Sequence, residues 1–234
     1  MGAAFIYAMP ENKRIYYNSI PSHMFFAVHP LKKMILEGEG VTQDFKKTIT
    51  NPRKIAKSLV AFANTRGGRL LVGVRDNGSI AGADVHEEGH MIEAAANFFC
   101  DPPIRYELFQ HEYQGLRVLE VVIPESRTKP HRAKGEDDRC MVYIRVNDKS
   151  VLASKVVVDV LRREAAGEPT VIAYTDKEQA LLDYLARHER ISLAEYVRLV
   201  NTSRRTALRS LVNLVAAGVV RVHHTESPEF YTLA

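Results

Sequence analysis

The chain has 234 residues, nearly half of them apolar (46%) and about a quarter charged (26%), with a formal net charge of +4. That suits a globular protein of one large domain, or of one ordinary domain plus a small one, and the mild charge permits a nucleic-acid partner without requiring one. Only Cys100 and Cys140 are present, with no C-x-x-C pair, which excludes a disulfide framework or a cysteine zinc cluster.

Residues 1–29 form an N-terminal arm in which "FIYAM" and "HMFFAV" read as short strands or as a segment docked elsewhere. No apolar run reaches the roughly 18 residues of a membrane span, and no signal peptide is read, so a cytoplasmic location is expected. "PLKKMILEG" predicts a short helix with proline at its start. Asn51 and Pro52 supply an N-cap and a first-turn proline for a second helix, in which Ile55, Leu59, Phe62 and Ala63 recur at helical spacing. Gly67 and Gly68 end it, and "RLLVGVR" has strand length, with "DNG" as the turn into "SIAGAD".

A helix is expected around His90–Phe99, followed by strands "IRYELFQHEY" and "LRVLEVVIP" turning at Gly115. Residues 125–139 read as a loop, mobile in its basic part "SRTKPHRAK", before the strand "CMVYIRV" and the helix "SKVVVDVLRREAA". The expected fold is therefore α+β: an α/β-like first domain with a mixed sheet over residues 30–166. "GEPTVIAY" (167–174) reads as a linker.

Residues 175–234 read as a separate unit. "TDKE" and "SLAE" each match the capping box that opens a helix. A third helix runs from Arg204 to Ala217, Gly218 stops it, and a hairpin turns at "ESPE". Three helices and a hairpin make a winged helix-turn-helix. On the third helix Leu208, Leu211 and Val215 face a core, and Thr202, Arg205, Thr206, Arg209 and Asn213 form the opposite stripe. Arginine reads guanine, asparagine reads adenine and threonine meets phosphate, so Arg204, Arg205, Thr206, Arg209, Asn213 and Arg221 are expected to contact DNA. No acidic residue lies between Asn201 and Thr225, and His223 and His224 are expected on the wing.

A second basic region precedes it. Residues 45–75 hold eight basic residues (Lys46, Lys47, Arg53, Lys54, Lys57, Arg66, Arg69 and Arg75) and no acidic one, bracketed by Asp44 and Asp76. With Lys129, Arg132 and Lys134 of the basic loop, the residues Lys46, Lys47, Lys57, Arg66 and Arg69 are expected to follow a phosphate backbone. The motifs "EGEGVTQDFKK", "AFANTRGGRLLVGVRDNGSIAG", "KPHRA" and "VYIRVNDKS" resemble those of the Schlafen AlbA-type divergent domain, over about Pro30 to Ser154. The resemblance implies a DNA-binding transcriptional regulator. It also implies an alternative, a metal-dependent ribonuclease in which Glu39, Asp44 and Asp76 hold Mg2+ or Mn2+ around an attacking water. Asp44 departs from that pattern, since a glutamate is usual there. Asp76 opens an Asp-Asn-Gly turn, where aspartate is favoured on conformational grounds alone.

No P-loop or dinucleotide-binding turn is present, so no nucleotide cofactor is expected. "HEEGH" (86–90) matches the zinc-protease pattern formally, but Gly89 weakens the helix by ~1 kcal/mol. The expectation is a regulator without resident cofactor that binds DNA, with RNA as a further partner, and pairs as a homodimer. A protein-interaction adaptor without nucleic acid is the remaining alternative.

Overall fold

The computed structural model describes residues 15–17, 29–167, 174–223 and 228–234, and these fall into two compact units, divided between Leu152 and Ala153. "FIYAM", "HMFFAV", His224 and most of the linker lie outside the described residues.

The first unit contains β1 (Ile15–Tyr17), α1 (Pro30–Glu37), β2 (Gln43–Lys46), α2 (Pro52–Asn64), β3 (Gly68–Val72), α3 (Val85–Phe98), β4 (Cys100–Asp101), β5 (Glu107–Tyr113), β6 (Leu116–Ile123), β7 (Arg132–Lys134), β8 (Cys140–Met141), β9 (Tyr143–Val146) and β10 (Lys149–Leu152). The main sheet has the order β1-β5-β6-β3-β2, parallel at its two outer pairs and antiparallel between, so the mixed sheet and the α+β class are as expected. The apolar run of β3 is explained by the alternation of side chains across a sheet. Leu70 and Val72 enter the core beneath α2 and α3, whereas Leu71 joins Leu31 and Met34 of α1. Both faces of the sheet are therefore covered.

α2 begins where the sequence places it, with Asn51 accepting from Arg53 N at 2.8 Å. α3 begins five residues before the expected His90, because Asp84 caps it by accepting from His86 N and Glu87 N. The DNG turn is also present: Gly78 N donates to Arg75 O at 2.8 Å, and Val74 bridges Ile80. The loop 125–139 contains β7 and is pinned to the unit. Ser126 N donates to Ala63 O at 2.9 Å, and Asn64 clasps His131 by accepting from its N–H (2.8 Å) and donating to its C=O (2.9 Å). This corrects the reading of a mobile loop. Asn64 supplies both a donor and an acceptor, which ties the loop to the end of α2.

The second unit contains α4 (Lys155–Ala166), α5 (Asp176–Leu185), β11 (Ile191–Ser192), α6 (Leu193–Leu199), α7 (Arg204–Ala216), β12 (Val220–His223) and β13 (Phe230–Leu233), with an antiparallel sheet in the order β11-β13-β12. Both capping boxes form, Thr175 with Glu178 and Ser192 with Glu195. α4 was expected in the first domain. It belongs here instead, because Val156 and Val160 join a core with Leu181, Tyr196, Leu211, Leu214 and Tyr231.

The Gly67-Gly68 pair is dictated by close approach as well as by backbone sign. A Cβ on Gly67 (φ 68°) would lie 2.7 Å from Ile123 O, and one on Gly68 (φ 159°) would lie 2.4 Å from the Phe62 ring and 2.8 Å from Thr42 O. At Gly115 (φ 76°) a Cβ would meet open space. Gly67→Ala should therefore cost more than about 2 kcal/mol, through strain plus backbone displacement, whereas Gly115→Ala should cost only about 1 kcal/mol from strain. Urea unfolding followed by circular dichroism measures both; equal losses would contradict the packing argument.

Candidate nucleic-acid interface

β2 carries Asp44 inward, where its carboxylate meets two cations. Oδ1 lies 3.0 Å from Lys46 Nζ, and Oδ2 lies 3.6 Å from Arg145 Nη1. The Arg145 side chain is 1% exposed. Its guanidinium donates from Nη2 to Gly40 O at 2.8 Å and to Gln43 O at 3.3 Å, and it stacks over the Phe62 ring at 4.8 Å. Burial disfavours its charge, and the neighbouring Asp44 and Glu39 carboxylates support it.

Glu39 Oε1 accepts from Phe45 N at 2.8 Å. Its carboxyl titrates above the usual range, chiefly through burial and then through a hydrogen bond with Asp44. Glu39 and Asp44 are thus together, with Asp44 serving as counter-ion to Arg145. Asp76 is exposed at the hairpin turn after β3. Among the described residues no group of three His, Cys, Asp or Glu side chains is arranged to hold a metal ion. The same holds for "HEEGH": His86 and His90 are exposed, and Glu88 is buried, accepting from Thr48 Oγ1 and Ile49 N.

Several cations of the first unit are engaged by carboxylates. Lys46 pairs with Asp44, and Arg69 with Glu37 at 3.3 Å. Lys129 pairs with Glu125 at 2.6 Å with its side chain 8% exposed, Arg132 lies 3.8 Å from Asp101, and Lys134 lies 3.4 Å from Asp138. Arg53 also reaches Asp138, at 3.1 Å. Within the acid-free run, Lys46, Arg53 and Arg69 are thus neutralised by carboxylates from outside it. Lys47, Lys57 and Arg66 are exposed and form no salt bridge among the described residues; Lys57 Nζ lies 5.7 Å from the Tyr143 ring centre.

In the second unit Arg204, Arg205, Arg209 and Arg221 are exposed, and none forms a salt bridge among the described residues. Arg205 and Arg209 are four residues apart on α7, hence neighbours on one face. Thr206 is turned to the helix start, its hydroxyl 2.9 Å from that of the N-cap Ser203. Asn213 Oδ1 accepts from Arg163 of α4, which packs along α7. Lys177 Nζ donates to Thr202 Oγ1 at 3.2 Å. His223 stacks on Phe230 (ring centres 4.6 Å apart), and Arg190 lies over the same ring at 5.1 Å.

Asn64, His131 and Arg145 are structural residues of the first unit whose roles no sequence motif marks. For Arg145 the available signal is an arginine inside the strand-like stretch "VYIRV", since its burial requires a partner elsewhere.

Residues 39–154 match the family described as Schlafen, AlbA_2, a span lying almost wholly in the first unit. Among solved structures, the DIP2311 protein from Corynebacterium diphtheriae is similar at 22% identity and a TM-score of 0.42, covering 63% of this chain. The chain spans only 29% of that protein. The N-terminal domain of a DNA helicase RecG-related protein from Nitrosomonas europaea is similar at 20% identity and a TM-score of 0.38, covering 47% of this chain and 83% of that one. No curated protein matches the sequence. Among the described residues no helix is long and apolar enough to cross a membrane.

Two measurements probe the interior. Arg145→Ala leaves Asp44 buried with half its counter-charge removed and should cost about 3–5 kcal/mol in urea unfolding; wild-type stability would contradict this. Burial holds His131 below the ordinary imidazole value of 6.5, and it lowers His29 likewise, with His111 adding to the effect. The unfolded chain then takes up protons first. Stability should be full above 6.5 and decline as pH falls from there toward the lowered folded values. A thermal-unfolding series showing no decline below neutrality would refute it.

Proposed function

We propose that the chain is a DNA-binding transcriptional regulator whose second unit acts as a winged helix-turn-helix. The order α5, β11, α6, α7, β12, β13, with its small antiparallel sheet, supports that reading of the unit. The observation that carries the function is the contrast between the two sets of cations. Of the eight first-unit cations expected to follow a phosphate backbone, carboxylates hold five, Lys46, Arg69, Lys129, Arg132 and Lys134, whereas all four arginines Arg204, Arg205, Arg209 and Arg221 are exposed without a salt bridge among the described residues. An unneutralised arginine next to a polyanion releases counterions on binding, and on a helix surface it can reach base edges as well.

In this reading Arg205 and Arg209 enter the major groove, Arg204 and Thr206 sit at the helix start near phosphate, and Arg221 reaches the backbone from β12. Lys47, Lys57 and Arg66 give the first unit a weaker, sequence-independent contact. The usual role of Schlafen AlbA-type domains with a trailing winged helix agrees with this. Pairing of two copies on two half-sites belongs to the same reading.

The test is fluorescence anisotropy with duplexes selected from genomic fragments, across a salt series. Affinity should fall linearly on a log–log plot. Arg205→Ala should weaken the selected site by about 1–3 kcal/mol and relax its sequence preference, whereas Arg221→Ala should weaken all duplexes evenly and reduce the salt slope by about one. Salt-independent binding, or none, would overturn the proposal.

A further inference from the structure

The pinned loop after β6 contains a serine–histidine pair that DNA binding does not use. Ser126 Oγ lies 2.6 Å from His131 Nε2, and His131 Nδ1 lies 2.8 Å from Pro102 O. A backbone carbonyl only accepts, so Nδ1 carries the ring proton and Nε2 presents its lone pair. The Ser126 hydroxyl is therefore the donor in its bond to Nε2. The ring is held independently of this bond, because His131 is 3% exposed and Asn64 clasps its main chain from both sides. Burial favours neutral imidazole, opposed by the Pro102 carbonyl and by Asp101, the charged group facing the ring.

Ser126 itself is only half-buried. Thr128 N donates to its Oγ at 3.1 Å, and the Thr128 hydroxyl lies at the same distance of 3.1 Å. Nucleophile, base and base-orienting acceptor are thus linked by successive hydrogen bonds, with a donor in place to favour negative charge on the oxygen.

We propose that Ser126 is a nucleophile activated by His131, able to accept the acyl group of a small activated ester. Its Oγ attacks the carbonyl carbon while its proton passes to His131 Nε2. The carbon–oxygen bond to the leaving group then breaks, and that oxygen takes the proton back from Nε2. Water, deprotonated by the same nitrogen, releases the acid and restores the serine. The hydrogen bonds of Ser126 also close the loop; a serine with that role alone has the reactivity of any other hydroxyl.

The experiment exposes the full chain to diisopropyl fluorophosphate, which is attacked at phosphorus with loss of fluoride, and locates the adduct by peptide mass spectrometry. The expected result is one adduct, on Ser126, formed at least about a hundredfold faster than on the exposed Ser203, the scale of general-base assistance. Its rate should fall as pH is lowered and the imidazole takes up a proton. Ser126→Ala should lose the adduct while keeping wild-type DNA binding, so the result is separate from the DNA reading. His131→Gln should also be unreactive, and the wild-type pH profile keeps the test valid if that variant fails to fold. No adduct, or adducts spread at similar rates over several serines, would overturn the proposal.

Discussion

Arg145 places a guanidinium inside the first unit, and burying such a charge costs several kcal/mol unless it is paired and hydrogen-bonded. The surrounding segments meet that demand at the two terminal nitrogens, whereas Nε is buried without a partner among the described residues. Asp44 supplies the counter-charge, Gly40 and Gln43 supply carbonyls, and Phe62 supplies a ring face. Thr65 Oγ1 accepts from Arg145 N at 2.9 Å. β2, the end of α2 and β9 are thereby fixed to one another around a single side chain. Motifs far apart in the sequence are thus parts of one internal network.

That network changes the meaning of the charge pattern. A run of basic residues without acids suggests an open cationic surface, but folding brings in Glu37, Asp44 and Asp138 from its flanks and beyond. Among the described residues of the second unit, Arg204, Arg205 and Arg209 of α7 have no such carboxylate partner. The proposed function rests on this difference in neutralisation, which net charge does not reveal.

What was legible in the sequence was local. Asn51-Pro52, the two capping boxes and the DNG turn each act within a few residues, and each appears where it was read. β2, β10 and β11 went unread because they are short, and β2 looks too polar for a strand until Arg145 is known to face Asp44. The bond of Asn213 to Arg163 is hidden from the sequence for the same kind of reason. The position of Asn213 on the helical stripe is local information, but the approach of Arg163 is tertiary. The basic loop looks mobile in the sequence because its pin, Asn64, lies 67 residues before His131.

The most direct measurement of the account is hydrogen–deuterium exchange on the full chain, with and without a selected duplex at low salt. Added protection should concentrate in the first half of α7 and in β12, with weaker protection beside Lys57 and Arg66. Protection confined to the first unit, or none anywhere, would mean that the free arginines of α7 do not meet the polyanion.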